Sequence, residues 1–145
     1  MKIKFKIVTP EKTVFEDLID QATLPVADGE VTILPNHQSY IGALKAGNIM
    51  IKKEGEEIDM SVSGGFAEFN QNSLTILADT AERAEEIDLK RAEEAKQKAE
   101  VAMKERVQMD DTEYARVAAA VERAAARLKV AKKHLTKKGI NIGQE

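Results

Sequence analysis

The 145-residue sequence predicts an α+β fold with its two kinds of structure segregated along the chain. Three observations carry this. Up to about Ala81, short apolar runs are separated by turn residues. Beyond it Ala, Glu, Lys and Arg dominate, and glycine is absent from Gly65 until Gly139. The charge changes sign as well: residues 1–86 carry 8 basic and 15 acidic side chains, net −7, whereas 87–145 carry 14 and 10, net +4. Halves of opposite sign imply two units with different partners.

In the first half, Ile3, Phe5 and Ile7 alternate with lysines, the period of a strand with one buried face. Further strand-like runs lie at 13–15, 19–24, 31–34, 48–51, 58–62, 66–69 and 74–77. Thr9-Pro10, Asp28-Gly29, Pro35-Asn36, Gly47, Gly55, Gly64-Gly65 and the stretch 70–72 punctuate them. Many short strands at this spacing make a sandwich or a barrel. Aromatics are only 4% and Trp is absent, so the core must rest on Val, Ile, Leu and Ala. Phe5, Phe15, Phe66 and Phe69 are its expected large anchors.

The second half predicts two helices. The first starts at Asp88, a good N-cap, and runs to about Val107, with a stripe of Leu89, Ala92, Ala95, Ala99, Ala102, Met103 and Val107. Residues 108–112 break the pattern. Asp110 followed by Glu113 then has the form of a capping box. The second stripe is Tyr114, Val117, Ala118, Val121, Ala125, Leu128, Ala131 and Leu135. Alanine lets two helices approach closely as an antiparallel hairpin, but it buries little area, so this half is expected to be the more weakly held.

The composition also excludes function classes. Without Cys there are no disulfides and no thiolate ligands. The alternating N-terminus has no apolar targeting stretch, and no run is long enough to span a bilayer. This predicts a soluble chain with no direct membrane insertion, and a bacterial source over a mitochondrial one, with a plastid-encoded one as the open alternative. The net charge of −3 and the lack of aromatics among the basic residues of the tail argue against nucleic acid. His37 falls in a turn and His134 near the helical end, neither beside a nucleophile motif. Glu85-Glu86 and Glu93-Glu94 are sequence neighbours that point apart on a helix, not a general acid/base pair. No catalytic and no metal site is predicted.

Several stretches, in order along nearly the whole chain, resemble the epsilon subunits of bacterial F-type ATP synthases. They are Lys6-Ile7-Val8-Thr9-Pro10-Glu11, then Gly29-Glu30-Val31-Thr32-Ile33-Leu34-Pro35-Asn36-His37, then Ser63-Gly64-Gly65-Phe66-Ala67-Glu68-Phe69, continued through Leu74-Thr75-Ile76-Leu77-Ala78-Asp79-Thr80-Ala81-Glu82-Arg83-Ala84. In the second stretch Thr32 and Asn36 replace two glycines of the family signature, positions where glycine often marks a positive φ. The resemblance implies a jelly-roll-like β-sandwich over 1–84 and a regulatory two-helix hairpin over 85–145. It implies a non-catalytic rotor subunit at the membrane periphery, on the cytoplasmic side of a bacterial cell. Its partners would be the gamma subunit, the ring of c subunits and the catalytic alpha/beta head. By likeness, His37 lies where the family touches gamma, and Glu30 where it approaches the c ring.

The family's hairpin lies folded on the sandwich or extends into the head, where it inhibits ATP hydrolysis. Arg116, Arg123, Arg127, Lys129, Lys132 and Lys133 would then face acidic segments of the beta subunits. The plain alternative is a solvated helix face. No cofactor is required, but ATP is implied as a regulatory ligand. Ile87-Asp88-Leu89-Lys90-Arg91-Ala92 resembles the family's ATP-binding pattern, with Glu82 and the pair Arg123 and Arg127 matching further ligand positions. Guanidinium groups four residues apart share a helix face and can grip a polyphosphate. Lys98 stands where the tightest binders have Arg, which removes a bidentate donor. The plain alternative makes Asp88 a cap and pairs the arginines with Glu85, Glu86 or Glu94. A second reading of the whole chain is a non-catalytic β-domain adaptor with a coiled-coil-like tail, unrelated to energy conversion.

Overall fold

The computed structural model describes residues 1–105 and 109–140. Its first half holds ten strands: β1 Ile3–Val8, β2 Thr13–Ile19, β3 Gln21–Val26, β4 Gly29–Ile33, β5 Tyr40–Leu44, β6 Gly47–Lys53, β7 Glu56–Val62, β8 Gly65–Asn70, β9 Ser73–Ala78 and β10 Ala81–Arg83. A 3-10 turn at Ala84–Glu86 leads into two helices, α1 Leu89–Lys104 and α2 Asp111–Lys137. The strands form two five-stranded sheets, ordered β2-β1-β9-β8-β5 and β10-β7-β6-β3-β4. The β-sandwich followed by helices is the segregated α+β architecture that the sequence predicts.

The alternation of β1 decides the core. Ile3, Phe5 and Ile7 are fully buried and meet Phe15, Ile19, Leu74, Ile76 and Phe69 of their own sheet and Leu24, Ile33, Ile49, Ile51 and Met60 of the other. The largest fully buried side chains among the described residues all belong to the sandwich and none to the helices. Hydrophobic stabilisation is therefore concentrated in the first half. Two-residue turns set the register of two hairpins. Lys53 pairs with Glu56 across Glu54 (φ 52°) and Gly55 (φ 84°), and Asn70 with Ser73 across Gln71 (φ 49°) and Asn72 (φ 56°).

Several expectations are corrected. Phe66 is not a core anchor: it is 62% exposed on the outer face of its sheet, while Phe69 is 1% exposed in the core. The run at 19–24 is interrupted, because Ile19 ends β2 and β3 begins at Gln21. Strand β5 has no counterpart among the predicted runs. Strand β10, written in helix-forming residues, pairs with β7 in the register Ala81↔Val62, Glu82↔Ser61 and Arg83↔Met60. Of the two substituted glycines, only Asn36 takes a positive φ (65°), which asparagine tolerates. Thr32 is an ordinary strand residue whose hydroxyl lies 2.9 Å from that of Thr23.

Asp88 caps α1 by accepting from the Arg91 amide at 3.2 Å. Asp110 and Glu113 form the reciprocal capping box of α2 at 2.8 and 3.3 Å. Each cap is worth about 1 kcal/mol. Ala95 faces solvent rather than α2, so it leaves the predicted stripe, and Val107 lies outside the described residues. Helix α2 packs on β6 and β7, and α1 packs on α2. Strand β7 is therefore covered on both faces near its end, which explains why Asp59 and Ser61 are buried beside Met60 and Val62.

Candidate functional site

Helix α2 meets the sandwich through a row of charged contacts beside apolar ones. Glu57, Asp59 and Ser61 alternate along β7 and share its outer face, with Glu82 opposite Ser61 on β10. Onto this strip α2 lays Arg127, Lys133 and Lys137. The Arg127 guanidinium donates to both Glu82 carboxylate oxygens, Nε to Oε1 and Nη2 to Oε2 at 3.3 Å. Lys137 donates to Asp59 Oδ2 at 2.7 Å and Glu57 Oε1 at 3.2 Å. Lys133 donates to Asp59 Oδ1 at 3.1 Å, and Asn48 donates to the same oxygen at 2.7 Å. The Asp59 side chain is 1% exposed. Apolar support comes from Leu128, Val130 and Ala131.

Burial pushes the Asp59 carboxyl up, but the hydrogen bonds from Lys137, Asn48 and Lys133 outweigh it and hold the group below the usual carboxylate range. Hydrogen bonds to Asp59 and Glu57 likewise hold Lys137 above its ordinary value against its partial desolvation. Lowered in the docked state, Asp59 contributes stability that is fully present above the ordinary aspartate range and lost as pH falls through its own lower value. The docked hairpin is therefore expected to loosen below about pH 4. Amide exchange across α2, corrected for intrinsic rates, should accelerate there before that of β1; parallel loss in both would refute the assignment to Asp59.

A cleft of about 430 Å³ opens beside the Glu82–Arg127 pair, lined also by Ser61, Ser63, Asp79, Thr80 and Arg123. The structure thus brings together three residues of the predicted ATP set: Glu82, Arg123 and Arg127. The other four lie at the entrance to α1, outside this lining. Ala92 is buried and Ile87 half-buried. Asp88 is engaged as the cap, and Arg91 is 82% exposed with its Nε 3.9 Å from Asp88. Asp88 is still close enough to act on Arg127, whose guanidinium is held above its ordinary value chiefly by Glu82 and then by Asp88. Lys98 is exposed on α1. Of the plain alternative, the Asp88 cap is present, but the arginines pair differently, as Arg127–Glu82 and Arg91–Asp88, and Glu85 lies 3.6 Å from Arg83. Lys132 lies 3.9 Å from Glu93 of α1.

Glu30 is exposed on β4, and His37 follows the other end of that strand. The His37 ring stands edge-on to Phe69 at 5.9 Å and Tyr40 at 6.4 Å, with Nδ1 2.8 Å from the Gln38 carbonyl. Sequence reasoning missed the apolar group beyond it. Ile41 (77% exposed), Phe66 and Leu77 sit on adjacent strands of the outer face, which no helix covers among the described residues. The signal was present: Phe66 and Phe69 are three residues apart, so strand alternation must put them on opposite faces. Among the described residues no cluster of His, Cys, Asp or Glu could hold a metal ion, and no helix is long and apolar enough to cross a membrane.

Family comparisons decide what this assembly belongs to. Residues 2–84 match the model of the ATP synthase delta/epsilon chain β-sandwich domain, and residues 85–132 that of its long α-helix domain. The chain belongs to the ATP synthase delta/epsilon family. It is 44% identical to the ATP synthase epsilon chain of Herpetosiphon aurantiacus over 91% of this chain and 96% of that one. It is also 44% identical to the epsilon chain of Dehalococcoides mccartyi, over 91% and 94%. The fold is shared with a chain of the Euglena gracilis mitochondrial ATP synthase, with TM-score 0.76, 22% identity, and 90% of this chain and 81% of that one covered. A chain of the Tetrahymena thermophila enzyme gives TM-score 0.65 at 14% identity, covering 90% and 97%. Delta/epsilon membership makes the chain a non-catalytic subunit, and the reading as an adaptor unrelated to energy conversion falls.

Proposed function

We propose that this chain is a rotor subunit of the central stalk, coupling proton translocation to ATP synthesis, and that its helices restrain ATP hydrolysis when they leave the sandwich. The observation that carries this is the division of the sandwich surface. One sheet holds the hairpin through an ion-paired strip, while the opposite sheet offers Ile41, Phe66 and Leu77 to a partner. One face for permanent attachment and another for a releasable arm is what a coupling and regulatory subunit needs. The solved neighbours with this fold come from an OSCP/F1/c-ring assembly and a central stalk/c-ring assembly, which supports the placement. The apolar face and His37 would then meet gamma, and Glu30 the c ring. The chain would reach the cytoplasmic side of the membrane through these partners.

ATP is the proposed ligand of the folded hairpin. Arg123 and Arg127 supply guanidinium groups four residues apart at the cleft, and Asp88 and Arg91 lie at the start of α1. A polyphosphate there would compete with Glu82 for Arg127. ATP would then favour the folded state only in proportion to its preference for it.

The test has two arms. Calorimetric titration of ATP into the isolated chain should show one saturable site, weakened tenfold or more by Arg127→Ala and by Arg91→Ala. No heat up to millimolar ATP would sink the ligand assignment. In the assembled enzyme, deletion of residues 111–145 should raise ATP hydrolysis severalfold. Unchanged hydrolysis would sink the restraining role.

A further inference from the structure

The attachment of α2 has a geometry that goes beyond holding a helix. Residues 57 to 61 of β7 span about 13 Å, and residues 127 to 137 of α2 about 15 Å. The two runs are matched in length and opposed in direction, so Lys137 meets Glu57, Lys133 and Lys137 share Asp59, and Arg127 meets Glu82. At the centre the Asp59 carboxylate is almost wholly withdrawn from water. A charge buried this way is tolerated only while paired and hydrogen-bonded. Its two lysines stay partly exposed, 41% and 35%, and can be hydrated without it. The arrangement is asymmetric: docking demands the lysines, whereas the lysines do not demand docking.

We propose that the strip Glu57–Asp59–Glu82 is an internal stand-in for an acidic protein surface, competing with it for the cationic face of α2, and that Asp59 sets how readily the helix is surrendered. The proposal rests on the two-state hairpin of the preceding section and names what regulates it. The strip is complementary in sign and spacing to Arg127, Lys133 and Lys137. An acidic partner must therefore take these side chains from the sandwich before it can hold them. When α2 leaves, Asp59 becomes hydrated, which lowers the cost of release. A neutral residue of the same shape would remove the central attraction and leave α2 to its outer ion pairs and its apolar contacts.

The experiment is amide hydrogen exchange on the full isolated chain, following residues 124–137 with β1 and β9 as internal controls. Poly-L-glutamate serves as the acidic probe and sodium chloride at matched ionic strength as the control. Asp59→Asn should speed exchange in α2 by tenfold or more with β1 and β9 unchanged, and should lower the poly-L-glutamate concentration that releases the helix. The apolar triple variant Asp59→Leu, Lys133→Met, Lys137→Met should dock again, since apolar replacement of a buried ion cluster is tolerated, and should resist poly-L-glutamate. It also provides the reading if the single variant disturbs the strands. Exchange in Asp59→Asn within twofold of the parent, or equal release by sodium chloride at matched ionic strength, overturns the proposal. This readout needs no other subunit, so a failure of the rotor reading in the assembled enzyme would leave it standing, and the reverse.

Discussion

Phe69→Ala is expected to lower the unfolding free energy of the sandwich by about 3–5 kcal/mol, whereas Phe66→Ala should leave it within about 0.5 kcal/mol. The two residues share strand β8 and differ only in the face they occupy. Phe69 is 1% exposed, packs among Ile3, Phe5 and Leu74, and has the His37 ring edge-on against it. Its truncation leaves a cavity that rigid strands cannot collapse, and the loss corresponds to a fall in Tm of roughly 15 °C or more. Phe66 touches solvent, so its removal should cost little in the isolated chain. It should instead weaken assembly with the central stalk by tenfold or more, because a large exposed aromatic at the middle of an uncovered apolar face is the usual anchor of an interface. Thermal melts and co-purification with gamma read both effects. Equal melting of the two variants would contradict the assigned faces, and undiminished co-purification of Phe66→Ala would remove the patch from the proposed interface.

Among the described glycines, Gly65→Ala should be the most disruptive substitution. Gly65 has φ +147°, which side-chain-bearing residues rarely adopt, and a Cβ there would lie 2.0 Å from the Leu77 carbonyl oxygen and 2.9 Å from Ala78 Cα. Both neighbours are backbone of β9, paired with β8 through Gly65↔Ala78 and Phe66↔Leu77, so neither can step aside without breaking the ladder. Backbone strain of about 1–3 kcal/mol and a similar cost of overpacking together give on the order of 3 kcal/mol or more. The break would fall under Phe66 and Leu77, so the apolar face should lose its shape along with its stability. Denaturant unfolding of Gly65→Ala should show a much lower midpoint. A midpoint within experimental error of the parent would mean that β8 does not approach β9 as described.

How far the chain could be read without its structure depended on whether the deciding interactions were local. The alternation of Ile3, Phe5 and Ile7, the tight turns at Gly55 and Asn72, and the caps at Asp88 and Asp110 each depend on residues a few positions apart, and all are present. Strand β10 could not be read this way. Its Ala-Glu-Arg favours a helix, and only hydrogen bonding to β7, twenty residues upstream, makes it a strand. Strand β5 carries Gly42 and Ala43, which give no strong signal until β8 is beside them.

The candidate site divides along the same line. The resemblance pointed to Glu82, Arg123 and Arg127, but the pairing of Glu82 with Arg127 joins residues 45 positions apart, and the cleft exists only with α2 docked. Asp59 carried no warning, since an acidic residue in an alternating strand reads as solvent-facing. Its burial is decided by a helix that begins more than fifty residues later and brings two lysines with it. Composition, period and turn chemistry settled a β-rich half followed by a helical hairpin, because those are short-range matters of backbone preference and side-chain polarity; they left sandwich and barrel open, and the resemblance pointed to the sandwich. Which outer face is covered and which carboxylate is withdrawn from water were settled only when the two halves packed together, and which phenylalanine is left exposed only when the two sheets did, because desolvation depends on everything around a side chain and not on its neighbours in the chain.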